Sequence, residues 1–123
     1  MRKIEHEMCA AIRSNKNWSK ANTRVEIVNY MDAAGDAAIK ANVYLHNNHI
    51  ATVSREVVEI TDAGWQSSTT KTRLNSLLDV FTNYRGRVNQ HKFVWYLSRG
   101  VGQDTDGGYT CEMGRHQWYA VSR

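Results

Sequence analysis

The residues best suited to chemistry are crowded into one stretch, Gly64 to Phe81, with the sequence GWQSSTTKTRLNSLLDVF. Backbone N–H groups at the start of a helix, the hydroxyls of Ser67, Ser68, Thr69 and Thr70, and the cationic side chains of Lys71 and Arg73 would together hold an anionic oxygen. Phosphate is the commonest such group. Gln66 and Asn75 carry amides that can hydrogen-bond a base edge or a sugar, and Trp65 carries a ring that can stack. Arg85, Arg87, His91 and Lys92 would widen a basic surface if the fold brings them to the same side. The competing reading is a well-capped amphipathic helix with solvated cations and a core tryptophan.

Other chemical pairs are weaker. His6 and Cys9 stand three residues apart on one helical face, and Cys111 and His116 flank the last turn, so the ligand types of a zinc site exist in the chain. The two halves are roughly a hundred residues apart and neither has a CxxC knuckle, so buried thiols beside ordinary surface histidines are expected, with no metal or other cofactor. Cys111 with His116 or His91, and Asp104 with Asp106, are the pairs that could do nucleophilic or acid–base work, but no GxSxG or HExxH frame surrounds them. DTDGG lacks the downstream ligands and closing Glu of a calcium loop, and GVG lacks the strand-then-helix setting of a dinucleotide fingerprint. The expectation is a protein that is not an enzyme.

The elements that must position these residues follow from composition and periodicity. At 123 residues, 41% apolar and 23% charged, the chain suits one ordinary globular domain, residues 1–123, with neither disorder nor a coiled coil. No apolar run approaches the roughly 18 residues of a membrane span, and the first residues lack the uninterrupted apolar core of a signal peptide. A soluble protein, not secreted by that route, is therefore expected. The net charge of +4 is a moderate basic excess that favours polyanions without requiring them. Proline is absent, so turns must rest on Gly, Asn, Asp and Ser.

Arg2 to Arg13 places Ile4, Met8, Ala11 and Ile12 at helical spacing, and SNKNWSKAN reads as a loop whose Trp18 lies over the core. Thr23 to Tyr30, Ala37 to His46, His49 to Ser54 and Arg55 to Thr61 read as strands. An Asn47–Asn48 turn would pair Leu45 with Ile50 and His46 with His49. The central helix, capped by Ser67, Ser68 or Thr69, presents Thr70, Leu74, Leu77, Leu78 and Phe81 on one side. Its charges run against the helix dipole, with Lys71 and Arg73 early and Asp79 late. One long strand from Val88 to Arg99 follows, then the loop GVGQDTDGG, then a hairpin of Tyr109 to Met113 with Gln117 to Ser122. The fold class is α+β: a mainly antiparallel sheet of five to seven strands, with the N-terminal and central helices packed on one face.

The segment Val43 to Leu78, about a third of the chain, resembles a pattern of small uncharacterised tailed-bacteriophage proteins. A YLH strand, an IA strand and a GW-x-S/T-x-TTK-x-RLN element recur there in this order. The resemblance implies a phage origin and action in the bacterial host cytoplasm, and transfers no activity. The expectation is a small phage accessory protein that binds DNA or RNA through the basic, hydroxyl-rich start of the central helix. On this reading, replacing Lys71 and Arg73 by Ala abolishes binding and leaves the melting temperature nearly unchanged. The alternative is an interaction module that inhibits or redirects a host protein, using Tyr44, His46, His49 and Tyr96 on an exposed sheet face or an edge.

Overall fold

The computed structural model describes residues 1–100 and 109–123. The pair Asp104–Asp106, the DTDGG tip and most of the glycine-rich loop fall outside the described residues.

Helix α1 (Lys3–Arg13) buries Met8, Ala11 and Ile12, as its spacing predicts, and also Glu5 and Cys9, while Ile4 of the predicted face is half-buried. It stops where Asn15 turns left-handed (φ 53°) and the N–H of Lys16 reaches back to the Ala11 carbonyl. The segment expected to be loop then contains a short strand, β1 (Trp18–Lys20), which pairs with the start of β2 (Thr23–Met31). Three residues are too few to show a period, which is why the alternation is invisible in the sequence. Trp18 is half-buried and packs against the core, as expected of it.

Strands β2, β3 (Ala37–Leu45), β4 (Asn48–Val53) and β5 (Val57–Ile60) form an antiparallel meander, and β9 (Tyr119–Ser122) joins it beside β5. The β3–β4 turn is made by His46 and Asn47, both left-handed (φ 51° and 65°), one residue earlier than the sequence suggests. Leu45 therefore pairs with Asn48 and Tyr44 with His49. Ile50 is an extra residue in a bulge, since the next pair is Val43 with Ala51. The bulge lets Ile50 and Ala51 both sink into the core, 1% and 0% exposed, where strict alternation would expose one of them.

Helix α2 (Ser68–Phe81) is capped by Ser67, whose hydroxyl accepts the Thr70 N–H at 3.1 Å. Thr70, Leu74, Leu77, Leu78 and Phe81 are all buried, so the predicted apolar face is the real one. The expected long strand after it is two, β6 (Gly86–His91) and β7 (Val94–Arg99), joined by a turn at Lys92 and Phe93 with φ of 49° and 66°. The polar run Asn89 to Lys92 leads into the turn without a glycine or an Asn-Gly pair to mark the reversal. The expected terminal hairpin is also corrected: β8 (Tyr109–Glu112) pairs with β7, whereas β9 crosses to the large sheet.

The result is α+β: among the described residues, two helices and nine strands, in antiparallel sheets of six (β1-β2-β3-β4-β5-β9) and three (β6-β7-β8). Both helices pack on one face of the large sheet, against Val25, Val43, Leu45, Val53, Val58 and Ile60, while α2 also lies along β6. Glu5 near the start of α1 meets Arg73 in the first half of α2, and Arg13 at the end of α1 stacks over Phe81 at the end of α2. The helices therefore run in the same sense, with the start of α2 at the end of the molecule where β5 finishes.

Candidate nucleic-acid interface

The start of α2 is built on a carboxylate that the sequence reading passed over. Asp62 is fully buried and its Oδ1 accepts the N–H groups of Gly64 (2.6 Å) and His116 (2.9 Å), while Oδ2 accepts the Gln66 amide (3.0 Å). The carboxylate thus closes the turn before the helix and pins the Gly114–Trp118 segment to it. Its legible signal was an Asp two residues before a Gly, the pattern of an Asx turn. Gly64 is required there: its φ is +82°, and the His116 ring lies where a side chain would stand, 2.2 Å from an added Cβ. With the backbone so held, Trp65 is turned outward and is 70% exposed.

The predicted site residues separate into three groups. Trp65, Ser68, Thr69, Lys71 and Lys92 reach the surface at this end, with Lys71 Nζ 3.4 Å from Gln90 Oε1 and Lys92 two residues further on in the β6–β7 turn. Four others are structural. The Gln66 amide is held by Asp62, and the Thr70 hydroxyl is buried against Ser67 (2.9 Å). Asn75 Nδ2 donates to the Val88 carbonyl (2.9 Å) and its Oδ1 accepts the Val88 N–H (2.7 Å), so one amide pairs the open edge of β6 as a strand would. Arg73 corrects the expectation most sharply. It is 3% exposed, with NH1 3.0 Å from Glu5 Oε2 and Nε 3.1 Å from Thr23 Oγ1, and it cannot meet a phosphate. The remaining cations lie elsewhere: Arg87 is 3.5 Å from Asp79, about 12 Å along the helix from Lys71 at 1.5 Å per residue, and Arg85 donates to the Arg123 main-chain oxygen. The reversed charges of Arg73 and Asp79 are thereby explained, since each has a tertiary partner, whereas Lys71 has none among the described residues but the Gln90 amide.

Residues that sequence reasoning did not assign to the site complete this end. Phe93, beside Lys92, is 91% exposed, and Arg115, His116 and Trp118 stand on the segment that Asp62 anchors. They are bound to the same end by the Met113 N–H to the Trp95 carbonyl (2.8 Å) and by Gln66 near the Met113 carbonyl (3.5 Å). Among the described residues, Lys71, Lys92 and Arg115 make no ion pair. Of the carboxylates described on these segments, Asp62 is buried and hydrogen-bonded and Glu112 is exposed.

The face of the large sheet away from the helices carries a second arrangement. Arg24 lies over the Tyr44 ring (4.0 Å), Tyr44 stacks on His49 (5.1 Å), and His49 meets Trp118 (4.8 Å), forming a ladder across the sheet. His49 Nε2 lies 3.0 Å from the Ala51 carbonyl and 2.8 Å from Thr52 Oγ1. Burial pushes its pKa below the ordinary imidazole value, against the Ala51 bond and with help from Lys40. Charges on this face are balanced, Arg24 and Lys40 against Glu26 and Glu59. His46 sits exposed in the β3–β4 turn, and Tyr96 belongs to the small sheet, so the four residues of the interaction reading do not form one surface.

Burial raises the Cys9 thiol to about 11, making it inert, and Cys111 is half-buried near Arg99 (3.7 Å). Among the described residues no group of three or more His, Cys, Asp or Glu side chains could hold a metal, and no helix is long and apolar enough to cross a membrane.

Fold and surface together define a small α+β domain with the exposed rings Trp65 and Phe93 near the start of α2 and a further exposed ring, Tyr84, just past its end. The family model of the Kyanoviridae Gp96 protein matches residues 1–118, and the chain belongs to that phage protein family. Comparison with curated proteins and with solved structures returns no match.

Proposed function

We propose that this phage protein is an accessory factor that binds nucleic acid at the start of α2, in the host cytoplasm and without catalysing a reaction. The observation that carries the reading is that Lys71, Lys92 and Arg115, none ion-paired among the described residues, stand on segments that meet near the start of α2: Lys71 reaches Gln90, two residues before Lys92, and Arg115 precedes His116, whose ring lies against Gly64 beside the outward-turned Trp65. Ser68 and Thr69 occupy the first two positions of the helix, where backbone N–H groups have no intrahelical acceptor, and their hydroxyls stand beside those groups. Three cations neutralising three phosphates give a slope of log K against log salt of about −2 for a single strand and −2.7 for a duplex. Each of Lys71→Ala, Lys92→Ala and Arg115→Ala then lowers that slope by about 0.7 to 0.9. Fluorescence anisotropy with labelled oligonucleotides across a salt series measures this. Wild-type protein that binds neither DNA nor RNA at low salt refutes the proposal.

The Arg24–Tyr44–His49–Trp118 ladder favours a second reading, a protein partner docked on the uncovered sheet face. Its rings are already stacked on one another and its charges cancel, which suits a rigid protein surface better than a base. Pull-down from nuclease-treated bacterial lysate separates the two: a protein partner survives nuclease and is lost in Tyr44→Ala, whereas nucleic acid is lost to nuclease and retained by Tyr44→Ala.

A further inference from the structure

We infer that the nucleic acid taken at this end is single-stranded, an inference that rests on the nucleic-acid reading above. Two observations lead to it. The first is that α2 cannot enter a groove of a duplex. Thr70 and every residue from Arg73 to Leu78 are buried between the large sheet, α1 and β6, leaving only Ser68, Thr69, Lys71 and Thr72 accessible in its first turns. Reading a duplex by an inserted helix needs a free helical side, and this helix has none.

The second is the state of the rings. Trp65 and Phe93 are 70% and 91% exposed, and neither stacks on another ring among the described residues. In the chain Phe93 directly follows Lys92, and Trp65 precedes the helix that carries Lys71 by three residues. Phe93 is also held at φ 66°, a conformation that costs energy for a bulky residue and that glycine or asparagine would adopt freely. Exposure and strain both count against stability, so the ring is not there for the fold. An unpaired base offers a whole π-face to such a ring, whereas bases in a duplex have theirs buried in the stack. Rings set among phosphate-binding cations are the surface a single strand recognises, its backbone on Lys71, Lys92 and Arg115 and its bases on Trp65 and Phe93.

The full chain is titrated by anisotropy against a labelled single strand of about 20 nucleotides without self-complementarity, against the same sequence as a duplex, and against heparin, a polyanion without bases. The single strand, as DNA or RNA, is expected to bind at least roughly tenfold tighter than the duplex. Trp65→Ala and Phe93→Ala are each expected to weaken single-strand binding roughly five- to a hundredfold, leaving heparin binding and the melting temperature unchanged. Duplex bound as tightly as single strand, or ring variants that bind normally while Lys71→Ala does not, overturns the single-strand inference and leaves the nucleic-acid reading standing. No binding to any oligonucleotide overturns both.

Discussion

Replacing Arg73 by Met separates the structure from the sequence-based expectation, because the two disagree about what is lost. In the structure Arg73 and Glu5 form an ion pair at 3.0 Å with side chains 4% and 1% exposed. The second Glu5 oxygen accepts the Arg2 N–H at 3.0 Å, and Arg73 Nε donates to Thr23 at 3.1 Å. Removing the guanidinium leaves a buried carboxylate with one backbone donor. Breaking such a pair from one side costs about 3–5 kcal/mol. For a domain of this size roughly 3–5 °C of melting temperature accompanies each kcal/mol, so Arg73→Met is expected to melt roughly 10–20 °C lower. Restoring neutrality with Glu5→Leu in the same chain recovers most of that loss, because an apolar pair of similar volume has no charge to desolvate. Urea and thermal unfolding of wild type, both single variants and the double variant give the coupling directly as a double-mutant cycle. An Arg73→Met protein that melts within about 2 °C of wild type and has lost oligonucleotide binding would refute the reasoning and return Arg73 to the surface.

Two further outcomes follow from the same network of buried polar groups. Asn75→Ala strips partners from both the N–H and the carbonyl of Val88, and at about 1–3 kcal/mol for each stranded group it destabilises by about 2–6 kcal/mol in urea unfolding, with oligonucleotide binding of the folded fraction unchanged. At His49 the folded pKa lies below the ordinary value of 6.5, so its stabilising contribution is full above that pH and is lost as pH falls below it, where only the unfolded chain takes up the proton. Unfolding free energy measured from pH 7.5 down to 5 is expected to fall more steeply for wild type than for His49→Phe, and identical slopes would show that the ladder leaves the imidazole free to ionise.

Much of the scaffold was legible because it rests on periodicity. The alternation of Ala41, Val43 and Leu45 and the helical spacing of Leu74, Leu77, Leu78 and Phe81 each report a buried face directly, and each is buried. The reversals were harder. His46–Asn47 and Lys92–Phe93 form two-residue turns with left-handed backbones but without the Asn-Gly or Gly-Gly signature that announces one, so the first turn was read a residue late and the second was not seen. The pairing of β8 and β9 with different sheets is set by contacts across the whole chain, about which a local pattern carries no information.

The site was legible in its place and mistaken in its members, for one physical reason. A cation at the start of a helix conflicts with the helix dipole, and the conflict says that a partner exists without saying where. For Arg73 the partner is internal, Glu5, sixty-eight positions away in the chain. For Asp79 it is Arg87. Lys71 has only an amide at 3.4 Å, so its conflict is unresolved within the described residues. The same test applied to rings picks out Trp65 and Phe93 near the start of α2 and Tyr84 past its end, all left in water, with Phe93 and Tyr84 at backbone angles that a smaller residue would hold at less cost. Features that lower the stability of the isolated chain and have no internal compensation are where selection for a partner shows. Here Lys71, Trp65 and Phe93 bring three of them to the start of α2 and the β6–β7 turn, while Tyr84 stands past the other end of the helix.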